Sequence, residues 1–375
     1  MIRIGLERRL DRRWWQSIVT PLLSVLVALI AGGIFLLIEG FNPFTVYKNL
    51  FDVSFTSKFG ITDSLTIAVP LILTGLAAAI VFRINLFNIG AEGQLYVGAI
   101  LGSWAGLALT DGLPTILGVG LVLLFGAIGG ALWALPAAFF KAYFGTSEII
   151  STLMLTFIAL FLMRYLIFGS NSFWRDPETT NFPQGKKIPP EARFELWSDT
   201  RLHWGLIVAI LVAVLIWVLI RFTSVGFDMN VVGSAPNSAI YAGIPVKRTV
   251  MIALGLSGAL GGLAGATEVA GRAYALDPNG LELGLGFTGI VVAALARYNP
   301  FAIILVATFL GGLRNAGVAM QGLPGERVPV EVSLMLQGAI LLFAIGGEIF
   351  SQHRLRIVRV DRAVAVESAG EAVAT

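Results

Sequence analysis

Stretches of about twenty consecutive apolar residues recur along almost the whole chain, and a soluble core cannot absorb so many of them. Ten are countable, at 18–39, 62–82, 93–109, 115–140, 149–168, 203–220, 249–268, 285–296, 300–318 and 330–350. The eighth is short and glycine-rich. Only 13% of the 375 residues are charged while 56% are hydrophobic, about half the charge of a soluble domain. The fold class expected is therefore all-α: a polytopic membrane protein of about ten transmembrane helices. Its expected organisation is a basic N-terminus at 1–17, a transmembrane domain at 18–350 and a tail at 351–375.

Between the second and third stretches the chain reads Asn85-Leu86-Phe87-Asn88-Ile89-Gly90-Ala91-Glu92-Gly93-Gln94. Irregular backbone and carboxylates at membrane depth survive where they are buried in protein or line a watery cavity. A glycine-broken helix near 88–94 is expected, with Asn88, Glu92, Gln94 and Phe87 as candidates for lining a polar path. Each also has a packing reading. Glu92 serves equally well as an acceptor for backbone amides at a helix start, and Phe87 is more simply a packing aromatic. Glu148 fits a first-turn acid favoured by the helix dipole.

Several chemistries are excluded or disfavoured. The chain has no Cys and only His203 and His353, which leaves no thiolate or disulfide and makes a histidine metal centre improbable. Gly185-Lys186-Lys187 lacks the spacing and the Ser/Thr of a phosphate-binding loop. The net charge of +3 belongs to loop orientation, and nucleic acid is not an expected partner.

Arg3, Arg8, Arg9, Arg12 and Arg13 precede the first apolar run, which is too long for a cleaved signal peptide and reads as a retained anchor. With the N-terminus cytoplasmic and ten spans alternating, fifteen Lys/Arg fall inside, nine outside, and Arg164 and Arg314 within spans. Five of the nine lie in one long external loop at 169–202, so over short segments the balance is fifteen to four. That is the positive-inside asymmetry, with both termini cytoplasmic. The external loop mixes charges with Phe173, Trp174, Phe182, Phe194 and Trp197, which fits a docking surface for a soluble partner and, equally, aromatics at the membrane interface.

The second long segment, at 223–248, is cytoplasmic. Ser234 is expected to cap a helix of about two turns with Pro236 at its second position, ended by Gly243 and Pro245. So short a helix needs a partner surface. The pairs Gly126/Gly130, Gly258/Gly262 and Gly261/Gly265, each four apart, point to closely packed helices. The run from Gly284 to Gly289 loosely echoes the Asn88 to Gln94 segment.

Residues 82–98, FRINLFNIGAEGQLYVG, closely resemble the signature of permease subunits of bacterial ABC importers in the ribose/branched-chain amino acid permease superfamily, nearest to the nucleoside group served by basic membrane lipoproteins. The resemblance continues through 145–154, through Gly233, Asn237, Ala239 and 241–244, and through 284–295, covering about 62–350 in order. One departure is Asp228-Met229-Asn230-Val231-Val232 ahead of Gly233, where relatives usually carry a basic residue. The resemblance implies a non-catalytic membrane subunit of the bacterial inner membrane that translocates a nucleoside or simple sugar delivered by an external binding lipoprotein. It implies a separate ATP-binding cassette ATPase, which holds the ATP-Mg, with Gly233, Ser234, Asn237, Ala239, Tyr241 and Gly243 at the ATPase coupling segment. This chain would bind no cofactor or metal, and a second, paralogous permease would complete a heterodimer in the lipid. The alternatives are an ion-coupled secondary transporter, which usually carries ionisable residues near the midplane, and an intramembrane enzyme. In the expected topology Glu92, Glu148, Glu268 and Glu348 fall near span ends, His203 stands at the first position of the sixth span and His353 lies outside the spans.

Overall fold

A computed structural model describes residues 2–8, 16–169, 171–179, 183–320, 331–332, 334–336, 338–340, 342–343, 346 and 353–359. Arg9, Arg12, Arg13, Phe182, Glu348, most of the tenth expected span and the tail beyond 359 lie outside the described residues. The chain divides into two units, one of 1–40 with 338–375 and one of 41–337.

The first unit adds one short strand pair to an otherwise helical chain. Besides helix α1 (Gln16–Ile38) it contains strands β1 (Ile2–Arg8) and β2 (His353–Arg359), paired antiparallel with Ile2 opposite Arg359 and Arg8 opposite His353. Both segments alternate apolar and polar residues, a period of two that suits a strand better than a helix.

The second unit is helical. Helix α2 (Pro43–Phe55), between the first two expected spans, starts with Asn42 accepting from the Phe44 N–H and Pro43 in the first turn. Ser54 Oγ donates to the Gly312 carbonyl at 2.5 Å, and the Phe55 ring lies so close that a Cβ on Gly312 would sit 2.2 Å from it. Helix α3 (Lys58–Phe82) is capped by Ser57 and is buried from Ala68 to Val81. A helix apolar on all faces belongs at the centre. Around it run α4 (Ala91–Ala108), α5 (Thr115–Phe144), α6 (Glu148–Arg164), α7 (Gly205–Phe222), α8 (Ser224–Ser234), α9 (Pro236–Tyr241), α10 (Val246–Glu268), α11 (Pro278–Leu281), α12 (Leu285–Leu295) and α13 (Pro300–Met320).

Helix α10 packs between α4 and α5 with backbones nearly touching. A Cβ on Gly98 would lie 2.3 Å from the Gly262 Cα, one on Gly130 2.1 Å from the Gly258 carbonyl, and one on Gly262 2.1 Å from the Gly126 carbonyl. The small-residue pairs seen in the sequence thus mark a three-helix seam. Outward faces of α5, α6 and α7 expose Leu124, Leu132, Phe157, Phe161, Leu211 and Leu215.

Seven described helices are long and apolar enough to cross a membrane, or eight when Leu22–Ile38 with Pro43–Phe55 counts as one broken span. Helix α4, the counterpart of the expected third span, carries Glu92, Gln94 and Tyr96 in its first turns, which lowers its hydropathy.

The described part of 171–204 is anchored at several points, while Glu195, Leu196, Ser198, Asp199 and Arg201 stay exposed. It is strapped onto the bundle: the Ile188 N–H donates to the Tyr274 carbonyl at 2.8 Å, the Phe194 N–H to the Ala270 carbonyl at 2.9 Å, and Trp174 Nε1 to the Ile100 carbonyl at 3.1 Å. Phe194 is buried and stacks on His203 at 5.1 Å, leaving Phe173 as the one exposed aromatic of the four described among those named.

Candidate functional site

The irregular backbone between α3 and α4 lies at 83–90, and helix is continuous from Ala91 through Gln94. Gly93 is therefore not a break. A Cβ there would stand 2.6 Å from the Thr156 Cα, so its role is close approach of α4 to α6.

Glu92 is 1% exposed, and its carboxylate reaches across the bundle. Oε1 accepts from Tyr96 Oη at 2.8 Å and from the Gly284 N–H at 3.0 Å, while Oε2 accepts from the Gly286 N–H. Gly284 holds φ +67°, the left-handed conformation glycine adopts freely, and is the N-cap of α12. Two helix N-termini therefore converge on one carboxylate, which satisfies orphan amides and opposes the positive ends of both dipoles. The amide-acceptor reading holds, with α12 supplying the amides.

Helix α12 has eleven residues, about 16 Å. Its C-terminal end is level with the end of α3, since Arg83 Nη2 donates to the Tyr298 carbonyl at 3.1 Å and the Phe82 and Tyr298 rings lie 5.1 Å apart. Half a bilayer core is about 15 Å. The Glu92 junction accordingly lies about 16 Å from the end of α3, a distance of that order.

Asn88 and Gln94 are 2% exposed each and form a reciprocal amide pair, Asn88 Nδ2 to Gln94 Oε1 at 2.8 Å and Gln94 Nε2 to Asn88 Oδ1 at 3.2 Å. Asn88 Nδ2 also donates to Ser257 Oγ at 2.8 Å, and Ser257 Oγ to the Ala77 carbonyl at 2.7 Å. This chain ties α3, α4 and α10 together. Phe87 is half exposed, edge-on to Phe82 at 5.1 Å, and its N–H donates to Glu148 Oε1 at 3.4 Å. Glu148 pairs with Lys141 at 2.8 Å and follows the N-cap Ser147.

None of Phe87, Asn88, Glu92 and Gln94 lines a nearby cavity of about 790 Å³. Its polar walls are Asp63, Thr66, Arg201, Glu268, Arg272, Glu282, Arg314 and Asn315, with Tyr274 beside them and Leu283 and Leu285 adjoining the Glu92 junction. Arg272 Nε donates to Glu268 Oε2 at 2.6 Å, and Arg164 grips Glu282 through Nε at 2.5 Å. Arg314 Nη1 is buried with no hydrogen-bond partner among the described residues. Tyr274 holds φ +55°, a strained conformation of the kind concentrated at binding sites. Sequence reasoning passed over this cluster, although Arg314 within a span was a signal, because a charge at membrane depth is expected to face a cavity.

A protein-family model described as the branched-chain amino acid transport system / permease component matches residues 60–345. The chain is 33% identical to a guanosine ABC transporter permease protein of Bacillus subtilis, over 88% of this chain and 95% of that one. It is 34% identical to a glucose ABC transporter permease protein of Haloferax volcanii, over 94% and 95%. It is 32% identical to a nucleoside ABC transporter permease protein of Lactococcus lactis, over 88% and 90%. No solved structure matches. The chain belongs to the branched-chain amino acid transport permease family. It is a multi-pass membrane protein and a permease subunit of an ABC importer. Membership disposes of the secondary-transporter reading.

In this permease the expected cytoplasmic segment becomes two helices. Ser234 does not cap α9: it ends α8, its hydroxyl donates back to the Asn230 carbonyl at 2.8 Å, and the N-cap is Ala235 with no side-chain bond. Gly243 ends the helix at φ +75°. Ala239 is fully buried, whereas Asn237 is exposed and Tyr241 is 92% exposed. Gly233 presses on the end of α3, where a Cβ would lie 1.8 Å from the Arg83 carbonyl, and Asn85 Nδ2 donates to the Gly233 carbonyl at 2.5 Å. The α8–α9 corner is thereby fastened to the irregular segment leading to Asn88 and Glu92.

Proposed function

We propose that this permease imports a nucleoside or simple sugar through a path whose outer part is the cavity lined by Glu268, Arg272, Arg314 and Asn315. The observation that carries the reading is that cavity: its volume lies within the range of about 300–1,000 Å³ for small-molecule sites, and it combines donors and acceptors suited to a polyhydroxylated solute. The Glu92 junction stands under its inner end, where Leu285 is shared between cavity wall and α12. Asn88, Glu92, Gln94 and Phe87 act as the frame of the path.

Ten spans place the chain in the bacterial inner membrane with both termini cytoplasmic, as its Lys/Arg distribution favours. The domain limits are 1–17, 18–350 and 351–375. The chain performs no catalysis and holds no cofactor or metal. A separate ATP-binding cassette ATPase binds ATP-Mg and docks on the exposed part of 223–248, at Asn237 and Tyr241. A paralogous permease completes a heterodimer, and an external lipoprotein delivers the solute. The solutes in the names of the three relatives, guanosine, glucose and nucleosides, favour this class.

The test is reconstitution in liposomes with its ATPase, second permease and binding protein. ATP-dependent uptake of a labelled nucleoside or hexose is expected, and Arg314→Gln should lower it at least about tenfold, since a buried charged donor is lost. Uptake by this chain alone, or transport of neither solute class by the full system, would contradict the proposal.

A further inference from the structure

A second cavity, of about 500 Å³, opens at the other end of the bundle, where α3, α7 and α12 finish and α8 and α13 begin. Arg83, Arg221 and Arg297 contribute to its lining, and no acidic residue does. Asp228 lies nearby on α8 but not in the lining. Arg83 Nε is buried with no hydrogen-bond partner among the described residues. The first turns of α8, capped by Thr223 Oγ1 accepting from Gly226 N–H at 3.3 Å, and of α13, capped by Asn299 Oδ1 accepting from Phe301 N–H at 3.0 Å, both start at this cavity. Three guanidinium groups and two positive helix ends surround a space without a carboxylate, which makes it a site for an anion.

The apolar part of the lining says how that anion is presented. Trp217 belongs to the cavity and to α7, whose outward face exposes Leu211, Leu215 and Phe222. Trp217 is edge-on to Phe222 at 5.3 Å and tilted on Phe301 at 5.6 Å. A lipid-facing strip thus runs into the basic pocket through an aromatic girdle, the arrangement of an interfacial headgroup site. Arg297 and Tyr298 hold φ +50° and +61°, two consecutive left-handed non-glycine residues. Strain of this kind persists where a side chain must be aimed.

We propose that this cavity binds the phosphodiester headgroup of an anionic phospholipid, with the guanidinium groups of Arg83, Arg221 and Arg297 on the phosphate and an acyl chain along α7. The site is independent of the transported solute and of which face is cytoplasmic.

The test uses the full-length chain in mild detergent, offered equal amounts of phosphatidylglycerol and phosphatidylcholine, with retained lipids counted by native mass spectrometry. Wild type should favour phosphatidylglycerol by about tenfold or more. Arg221→Gln with Arg297→Gln should bring the ratio near parity, and the corresponding Lys replacements should restore much of it. Arg175→Gln with Lys187→Gln, which removes the same charge from the opposite end, should leave it unchanged. Should the double Gln variant fail to fold, Arg221→Gln alone must still lower the ratio several-fold. An unchanged ratio overturns the proposal. So does loss of the preference when inorganic phosphate is added at matched ionic strength, which would assign the pocket to a soluble anion. A Gln variant that keeps its lipid preference but no longer associates with the ATPase would assign the pocket to protein docking, and also overturns it.

Discussion

Glu92 is where one side chain holds two helices that are remote in sequence. Its carboxylate serves three donors, two of them amides 192 and 194 residues away. Glu92→Gln keeps the shape but turns an NH₂ toward donors, so a buried N–H goes unsatisfied at a cost of about 1–3 kcal/mol. A lowered thermal midpoint of the purified protein is the expected result, with Glu92→Ala lower still; an unchanged midpoint for both would show that the junction carries no stability. The polar run was legible because Asn, Glu and Gln in an apolar setting are conspicuous, while the partner was not, since nothing local to residues 85–94 encodes Gly284. The glycine pairs were legible as close packing for a local reason, their spacing of four. Gly98, the third member of the seam, has the same spacing of four with Gly102 in α4. Gly262→Ala should cost about 1–3 kcal/mol or more through overpacking, whereas Gly255→Ala, with nothing within 4 Å of its Cβ, should cost nothing in the same melt.

At the scale of elements, α9 and the strap at 171–204 each refine what the sequence offered. Proline, glycine and their spacing gave α9 its existence and its end, but which side faces out depends on how α8 seats on α3. Burial of Ala239 makes it a folding position, so the exposed Asn237 and Tyr241 are the positions that test coupling. Asn237→Glu or Tyr241→Ala should reduce substrate-stimulated ATP hydrolysis in the assembled transporter several-fold, a shift of about 1 kcal/mol, with unaltered elution of the permease; normal stimulation would move the ATPase contact elsewhere. The strap is clamped at His203, whose ring stacks on Phe194 and packs on Gly271. Its Nδ1 accepts from the Gly205 N–H at 3.1 Å, which requires the unprotonated nitrogen. Burial pushes the His203 pKa down to about 4. The unfolded imidazole charges near pH 6.5, so the strap has its full stability above that pH, loses it progressively as pH falls towards about 4, and loses no more below. Proteolytic nicking of 171–204 should rise over that window in the wild type, and His203→Phe should abolish the rise; a variant with the same pH profile would remove His203 from the account.

At the scale of the whole molecule, hydropathy legibly announced a membrane bundle, and the described helices follow most of the expected spans. The cavity around Arg314 was not legible, because its charged residues come from α3, the strap, the end of α10, the segment before α12 and α13, five regions that only the packing brings together. In an alternating-access importer a cavity of this kind must change its exposure to water during the cycle, while lipid-facing positions do not. The natural absence of cysteine permits a direct measurement. Single replacements Asn315→Cys, Thr66→Cys and Leu283→Cys in the reconstituted transporter are labelled with a small water-soluble thiol reagent, whose reaction needs a hydrated thiolate, alongside Leu211→Cys and Leu215→Cys on the lipid face. The cavity positions should label at least about tenfold faster than the lipid-face positions in the resting state, and ATP with loaded binding protein should change their rates alone. Cavity positions that label no faster than Leu211→Cys and Leu215→Cys in every nucleotide state would contradict the path proposed here.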